Sequence, residues 1–449
     1  MDQPIISVSG LRGVIGQTLT PEIATRYVAA FAAMLPRGKV LVTRDGRSTG
    51  PMIAQAARAG ISAAGRDVLD ADVAATPTAG VLVQSEGCVG GVQISASHNP
   101  AEYNGLKLFG EDGRIIPGPA GQEVKDRYLS GQIAYADHAN LGAFHVLTDS
   151  LSEHLRRVEA IVDTERIRSH GFRVLLDSNH GSGCVLGRKL LERLGCDVCV
   201  LGCSADGQFA HPPEPTEGNL ADVAHQAIEG GYDAIFCQDP DADRLAIIDG
   251  EGRYLGEELT LALCVDHQLR KRPGPIVSNC SSSRVTRDLA ERYNVPFTQS
   301  AVGEANVVDA MLRSGAVLGG EGAGGVIHPE VVLVRDSFVG MAMVLDAMAA
   351  RSLPLAELAD ELPQYAIHKT KATLAPERLE ATLSKLQKQF AGAEVDRLDG
   401  LRLDWPHEKK WLLVRASNTE PIVRLIAEAP ERDAAVAVCE AASAVIAAS

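Results

Sequence analysis

Aromatic side chains are scarce in this chain: Phe, Trp and Tyr make up 4% of 449 residues. Single-stranded nucleic acid is held by bases stacked on aromatics beside a basic groove, so the shortage argues against that partner. Positive charge is short as well. The 43 Lys and Arg are outnumbered by 58 Asp and Glu, giving a formal net charge of −15, and such a surface attracts neither a phosphate backbone nor an anionic membrane. Long apolar runs are missing too, with no window reaching the ~18 consecutive apolar residues that a spanning helix requires. The opening MDQPIISVSG has no basic segment followed by an apolar stretch, so the expectation is a cytoplasmic protein without a signal peptide. Cysteines are few and odd in number, nine in all, which fits reduced, buried thiols better than a disulfide framework. Cys196, Cys199 and Cys203 cluster in CDVCVLGC. In a strand, positions three apart face opposite sides, so buried packing is expected there rather than a shared metal.

The remaining composition, 45% hydrophobic and 22% charged, is that of a globular enzyme-like chain. Its length exceeds what one core supports and predicts two to four domains of roughly 150 residues. A helix is predicted after Thr20-Pro21, then a strand KVLVTRD, a helix from about Pro51 to Ala64, a strand DVLDA and a strand GGVQISA. The order recurs with FRVLLDS, CVLGRKLLERLG, DVCVLG, NLADVAHQAIEGG and YDAIFCQ. It recurs again with PIVSNC, VTRDLAERYN, VPFTQS, GEANVVDAMLRSG and AVLGG. Apolar strands alternating with amphipathic helices predict mixed or parallel sheets covered by helices. Three such units, each ending in an unusual loop, predict three related α/β domains around a shared cleft. After about Leu362 strands group with flanking helices, as in a smaller α+β domain. The boundaries read as 1–150, 151–255, 256–362 and 363–449.

Four loops carry chemistry. In SASHNP, Pro100 bars the preceding residue from helix, fixing two serines and His98 on a strand exit. A serine hydroxyl needs a base, a lowered pKa or a metal to act as a nucleophile; a plain turn is the alternative. Lys107 lies close enough along the chain to share the cleft, or to be a solvated strand end. In DPDADR, Asp239, Asp241 and Asp243 alternate, and a looped backbone converges them on a hard cation such as Mg²⁺, unless the turn is merely solvated. A helical calcium loop would need Gly and Glu where Arg244 and Gly250 stand. Arg244 by itself reads as a structural partner of the aspartates. GGEGAGG contains G-x-G-x-x-G, but a β-rich VIHPEVVLV follows where a dinucleotide site needs a helix. Glu321 in that loop is suited to accept sugar hydroxyls. RASNTEP joins Arg415 to Ser417, Asn418 and Thr419, with Arg424 beyond, as a phosphate cradle or a capped turn. Metal, nucleophile, hydroxyl acceptor and phosphate clamp each occur once, which reads as metal-assisted phosphoryl transfer on a sugar phosphate.

At SASHNPAEYNGLK, DPDADR, GEGAGG and RASNTEP, in this order and spanning nearly the whole chain, the sequence resembles the α-D-phosphohexomutase superfamily. The resemblance implies three α/β domains and a fourth of TATA-binding-protein-like shape around one site. By it, Ser97 carries a phosphoryl group, and that group binds Mg²⁺ together with Asp239, Asp241 and Asp243. Glu321 contacts sugar hydroxyls, and Arg415, Ser417, Asn418, Thr419 and Arg424 hold the other phosphate. Arg12, Lys107 and Arg244 match basic residues of the family, and His98 and Lys107 are the candidates for general acid or base. The implied reaction interconverts hexose 6-phosphate and 1-phosphate, with a hexose 1,6-bisphosphate as intermediate and activator, in a monomer or homodimer. Ala323 and Gly325 depart from the serine and histidine of other members, which leaves hydroxyl selection to Glu321 and backbone groups. PPEPTEGNL, VGEAN and SNTEPIVR look most like phosphoglucosamine mutases or phosphoglucomutase/phosphomannomutases, and the expectation leans to glucosamine phosphate. A Mg²⁺-dependent sugar phosphatase and a non-catalytic sugar-phosphate sensor are the alternatives.

Overall fold

A computed structural model describes residues 4–7, 10–416 and 422–448. Four sheets succeed one another along the chain. The first has seven strands in the order Ile5–Ser7, Gly10–Val14, Tyr103–Gly110, Gly90–Ile94, Lys39–Arg44, Asp67–Val73 and Phe144–Val146. The second runs Tyr254–Leu255, Leu245–Asp249, Ala234–Gln238, Arg173–Asp177 and Asp197–Leu201. The third runs Phe297–Ser300, Ile276–Asn279, Leu318–Glu321 and Gly325–Ile327. The fourth is antiparallel throughout and runs Ala366–Thr373, Ile422–Ala429, Lys410–Ala416, Leu401–Trp405 and Glu394–Asp396.

The first three sheets share one device. Three parallel strands lie with the first-entering strand in the middle, and the third is followed by an antiparallel neighbour. That last hairpin is where the unusual loop sits each time. SASHNP joins Gly90–Ile94 to Tyr103–Gly110, DPDADR joins Ala234–Gln238 to Leu245–Asp249, and Gly322 to Gly324 join Leu318–Glu321 to Gly325–Ile327. Parallel strands buried on both faces read as continuous apolar runs, which is why these were legible. Each loop is thereby pinned at both ends by ladder hydrogen bonds.

The predicted opening helix spans Pro21–Ala32, with the Thr20 hydroxyl accepting the Ile23 amide at 3.3 Å. Of the helices that the sequence reading left out, three are buried on all sides. Thr76–Ser85 is buried from residue 76 to 83, Gly256–Lys271 at nearly every position from 260 to 269, and Ser337–Arg351 from 337 to 349. A helix covered on all sides has no polar face to generate a period. VIHPEVVLV is not β-rich beyond Ile327; the chain turns there and enters Ser337–Arg351. This helix packs on Gly256–Lys271, Thr164–His170 and Ser152–Ala160, joining the second and third sheets through one apolar core. Asp336 caps it by accepting the Phe338 and Val339 amides, and its other oxygen lies 2.8 Å from His154, whose second ring nitrogen meets Thr78 at 2.9 Å.

The cysteine expectation is corrected. Cys203 is disulfide-linked to Cys184, with Cα atoms 5.2 Å apart, and Cys199 is exposed. Cys203 follows a strand that ends at Leu201, so it leaves the alternation on which buried packing was argued. Among the described residues no helix is long and apolar enough to cross a membrane.

Candidate active site

Ser97 stands in a left-handed conformation, φ 50°, which a non-glycine residue holds only when its surroundings enforce it. Arg47 enforces it. Buried beneath the loop, its guanidinium donates to four carbonyls: Ser97 at 2.7 Å, Asn99 at 2.6 Å, Pro100 at 2.7 Å and Tyr103 at 3.0 Å. Asp45 neutralises it, accepting the Arg47 Nε at 3.1 Å and its amide at 2.9 Å. The Ser97 hydroxyl is therefore not a mobile tip. It is 1% exposed, donates to Asp239 Oδ2 at 2.8 Å, and lies 3.3 Å from His98 Nδ1.

The acidic loop is fixed from outside its own unit. The Thr76 amide donates to Asp241 O at 2.9 Å, and the Ser337 hydroxyl to Ala242 O at 2.7 Å. Asp239, Asp241 and Asp243 are wholly buried, with candidate ligand oxygens all within 4.8 Å of one another. Lys107 Nζ donates to Asp241 at 2.5 Å and Asp243 at 2.8 Å, and Arg335 donates to Asp243 at 2.6 Å. Even so, one oxygen each of Asp241 and Asp243 has no hydrogen-bond partner among the described residues. A buried carboxylate oxygen left unpaired is costly. The three carboxylates, hard and anionic and two of them with an unpaired oxygen, form a donor set that fits a divalent cation of the Mg²⁺ type.

Burial, and then the charges of Asp243 and Asp241, push the Asp239 carboxyl well above its ordinary value. Asp243 feels the same burial, but Arg335, Lys107 and Arg244 outweigh it and hold its carboxyl low. Burial opposes the charge on Lys107 as well, yet Asp241 and Asp243 keep it an ammonium, with its pKa raised. His98 is driven down to about 2, by burial first and then by Arg244 and Arg12. In this state, then, His98 is neutral and a weak base, and Lys107 is a held proton donor.

Arg12 donates to Asn99 at 3.1 Å. The Arg244 side chain faces the cleft, 3.9 Å from Glu214 and 4.0 Å from Asp243, with its buried Nε unpaired. It borders the acidic trio as the sequence expectation had it, through this ion pair with Asp243 and through its amide, which donates to Asp239 at 3.2 Å. Glu321 accepts Asn279 at 2.7 Å, the Gly303 amide at 3.0 Å and Arg335 at 3.0 Å. In the fourth sheet Arg415 stands opposite Arg424, and Arg424 opposite Lys371. Like charges side by side on one sheet face repel, so this row gains by meeting an anion. Asp399 lies 3.2 Å from Arg415. Ser417, Asn418 and Thr419 lie outside the described residues.

All four sheets contribute to one cleft of about 680 Å³, lined among others by Arg12, Lys107, Arg244, Glu321, Arg415 and Arg424. Sequence reasoning passed over Arg47, Arg335, Glu304 and Lys369. Arg335 ties the acidic loop to Glu321 and to Glu304 at 2.8 Å. Its segment carried no motif, and only the fold brings it in. Glu304, pushed up to about 7 by burial against the pull of Arg335, stood in the quoted VGEAN without being assigned a part.

A buried hydroxyl against clustered carboxylates, with His98, Lys107, Arg12 and Arg244 between it and a polar cleft, defines a phosphotransferase of small phosphorylated molecules. The phosphoglucomutase/phosphomannomutase alpha/beta/alpha domains I, II and III match residues 4–133, 152–252 and 257–365, and the family's C-terminal domain matches residues 369–445. The chain belongs to this family, within the α-D-phosphohexomutase superfamily, and is a phosphohexomutase. A phosphoglucomutase/phosphomannomutase of Thermococcus kodakarensis is 34% identical over 95% of this chain and 94% of its own. A phosphoglucosamine/phosphogalactosamine mutase of Sulfurisphaera tokodaii is 30% identical over 96% of both. Among solved structures, a phosphoglucomutase/phosphomannomutase family protein from Burkholderia thailandensis superposes with a TM-score of 0.87 at 26% identity, covering 99% of this chain and 97% of its own.

Proposed function

We propose that the enzyme interconverts hexose 6-phosphate and hexose 1-phosphate through a phosphoserine at Ser97, with glucosamine phosphate as its preferred substrate. The observation that carries the reading is the 2.8 Å contact between Ser97 Oγ and Asp239, made across 142 residues of chain. Phospho-Ser97 gives its phosphoryl group to the free sugar hydroxyl: the Ser97 O–P bond breaks, a sugar O–P bond forms, and the proton given up by the sugar hydroxyl is balanced by the one the serine oxygen takes up, which restores the Ser97 hydroxyl. The resulting hexose 1,6-bisphosphate turns about and returns its other phosphoryl group to Ser97. Asp239, Asp241, Asp243 and the Ser97 phosphate would hold Mg²⁺, which would supply charge neutralisation to the transferring group.

The chain's own residues do the rest. Arg244 and Arg12 add positive charge around Ser97, where the charge of phosphoryl transfer is largest. Lys107, an ammonium beside the same carboxylates, is placed to act as acid toward the departing serine oxygen. Neutral His98 orients the Ser97 hydroxyl. Glu321 accepts sugar hydroxyls, and Arg415, Arg424, Ser417, Asn418 and Thr419 hold the phosphate that is not reacting. The preference for glucosamine phosphate is supported by the names of relatives such as the Sulfurisphaera tokodaii enzyme.

The test is incubation with glucosamine, glucose and mannose 6-phosphates plus Mg²⁺ and a trace of hexose 1,6-bisphosphate. The expected result is accumulation of the 1-phosphate, fastest with glucosamine, and a phosphorylated peptide containing Ser97. Inorganic phosphate released without any 1-phosphate would overturn the reading in favour of hydrolysis.

A further inference from the structure

Most charges bordering the cleft are already matched. Lys107 and Arg335 meet Asp241, Asp243, Glu304 and Glu321, and Glu258 accepts the Ser283 amide at 2.8 Å. Among the carboxylates that border the cleft in the described residues, Glu257 is the exception. It borders the cleft, yet its Oε1 is sealed from solvent without a hydrogen-bond partner, and its carboxylate has no ion pair among the described residues. Glu257 and Glu258 open the first turn of Gly256–Lys271. Acidic residues there favour the helix, but that does not require an oxygen of one of them to be shut away from both water and a donor.

The position is informative. A methyl group at Gly322, in the loop that reads the sugar, would overlap the Glu258 carboxylate. The helix start that carries Glu257 thus lies beside the sugar loop, and Glu257 itself borders the cleft between that loop and Lys369 of the fourth sheet. Burial pushes the Glu257 carboxyl up, with Arg244 and Lys369 as the nearest opposing positive charges, and both of those cations border the cleft where phosphate groups compete for them. What satisfies a desolvated carboxylate best is a cationic donor, and a hexose phosphate carries one only when a ring hydroxyl is replaced by an amine.

We propose that Glu257 is a specificity residue that receives the ammonium group of a 2-amino-2-deoxyhexose phosphate, selecting it over neutral hexose phosphates. This rests on the phosphohexomutase reading of the cleft and adds the group that decides among sugars. An uncharged hydroxyl can donate one hydrogen bond to the carboxylate but leaves its charge unmatched. An N-acetylated amine is both uncharged and too large for a contact of this kind.

The experiment compares wild type with Glu257→Gln, which keeps shape and removes charge. The readout is the ratio of kcat/KM for glucosamine 6-phosphate to that for glucose 6-phosphate. Losing a hydrogen bond to a charged group predicts a fall in this ratio of about 10- to 100-fold. A ratio unchanged by the substitution overturns the proposal, even if both activities drop, because a merely structural role lowers both alike. Calorimetric binding of the same two sugar phosphates to both proteins, folded as judged by circular dichroism, gives the same ratio without turnover. If wild type makes no 1-phosphate from any sugar, the mutase reading fails. The binding ratio still decides Glu257: a fall on substitution supports the proposal, and no change refutes it.

Discussion

Replacing Ser97 by alanine removes the phosphoryl acceptor, so turnover is expected to vanish at every substrate concentration. The hydroxyl is buried and bonded to Asp239; hence the substitution also costs stability, about 1 kcal/mol, which thermal unfolding measures. A variant that retained turnover would remove Ser97 from the reaction. Arg47 predicts the opposite balance. Its guanidinium serves four loop carbonyls and one buried carboxylate, so Arg47→Met strands Asp45 and is expected to cost about 3 kcal/mol or more. Activity should fall with it, because the left-handed Ser97 loses what enforces it. Chelation belongs at this scale too: with EDTA the mutase rate is expected to disappear and to return on adding Mg²⁺. An undiminished rate in chelator would contradict the role given to the aspartates.

Among the elements, what could be read in advance follows from how each is buried. Gly90–Ile94, Ala234–Gln238 and Leu318–Glu321 are short apolar runs ending in polar motifs, and both signals survive in one dimension. Ser337–Arg351 carries neither, being apolar all round, although it fastens the acidic loop through Ser337. Arg47 and Arg335 were equally hidden, since an arginine that organises a loop looks like any surface arginine until its neighbours are known. The disulfide between Cys184 and Cys203 was missed because sequence spacing says nothing of a helix start meeting a strand exit. Gly322, by contrast, has a readable consequence. Gly322→Ala is expected to lower kcat/KM for every hexose phosphate by pushing Glu258 against the sugar loop, and kinetics matching wild type would show that the loop yields freely.

At the scale of the whole molecule, the fourth sheet meets the third unit through charged side chains. Glu428 accepts the Arg284 amide at 3.0 Å, Asp399 accepts the Val302 amide at 3.0 Å, and Arg402 donates to Cys280 O. Burial raises Glu428 to about 7 and Glu258 to about 8, whereas an unfolded glutamate titrates near ~4.3. The folded protein thus retains protons that the unfolded chain gives up. Their contribution is fully present below about pH 4.3 and is lost as pH rises through 7 and 8. Through these groups the melting temperature is expected to decline from about pH 4.3 to about pH 8, and Glu428→Gln to flatten that decline; identical profiles would contradict it. The same seam is where closure over a turning bisphosphate is expected, read as a smaller radius of gyration in solution scattering when the ligand binds.

Lys107 and Arg335 give the acidic trio internal counter-ions before any metal arrives. Metallation is thereby uncoupled from folding: the nascent chain has no need to wait for a divalent ion to assemble its interior. A divalent cation would enter a finished scaffold and compete with the Lys107 ammonium for Asp241 and Asp243. Protein refolded in chelator should accordingly recover a native circular dichroism spectrum while remaining inert, and should awaken within the mixing time once the cation is supplied.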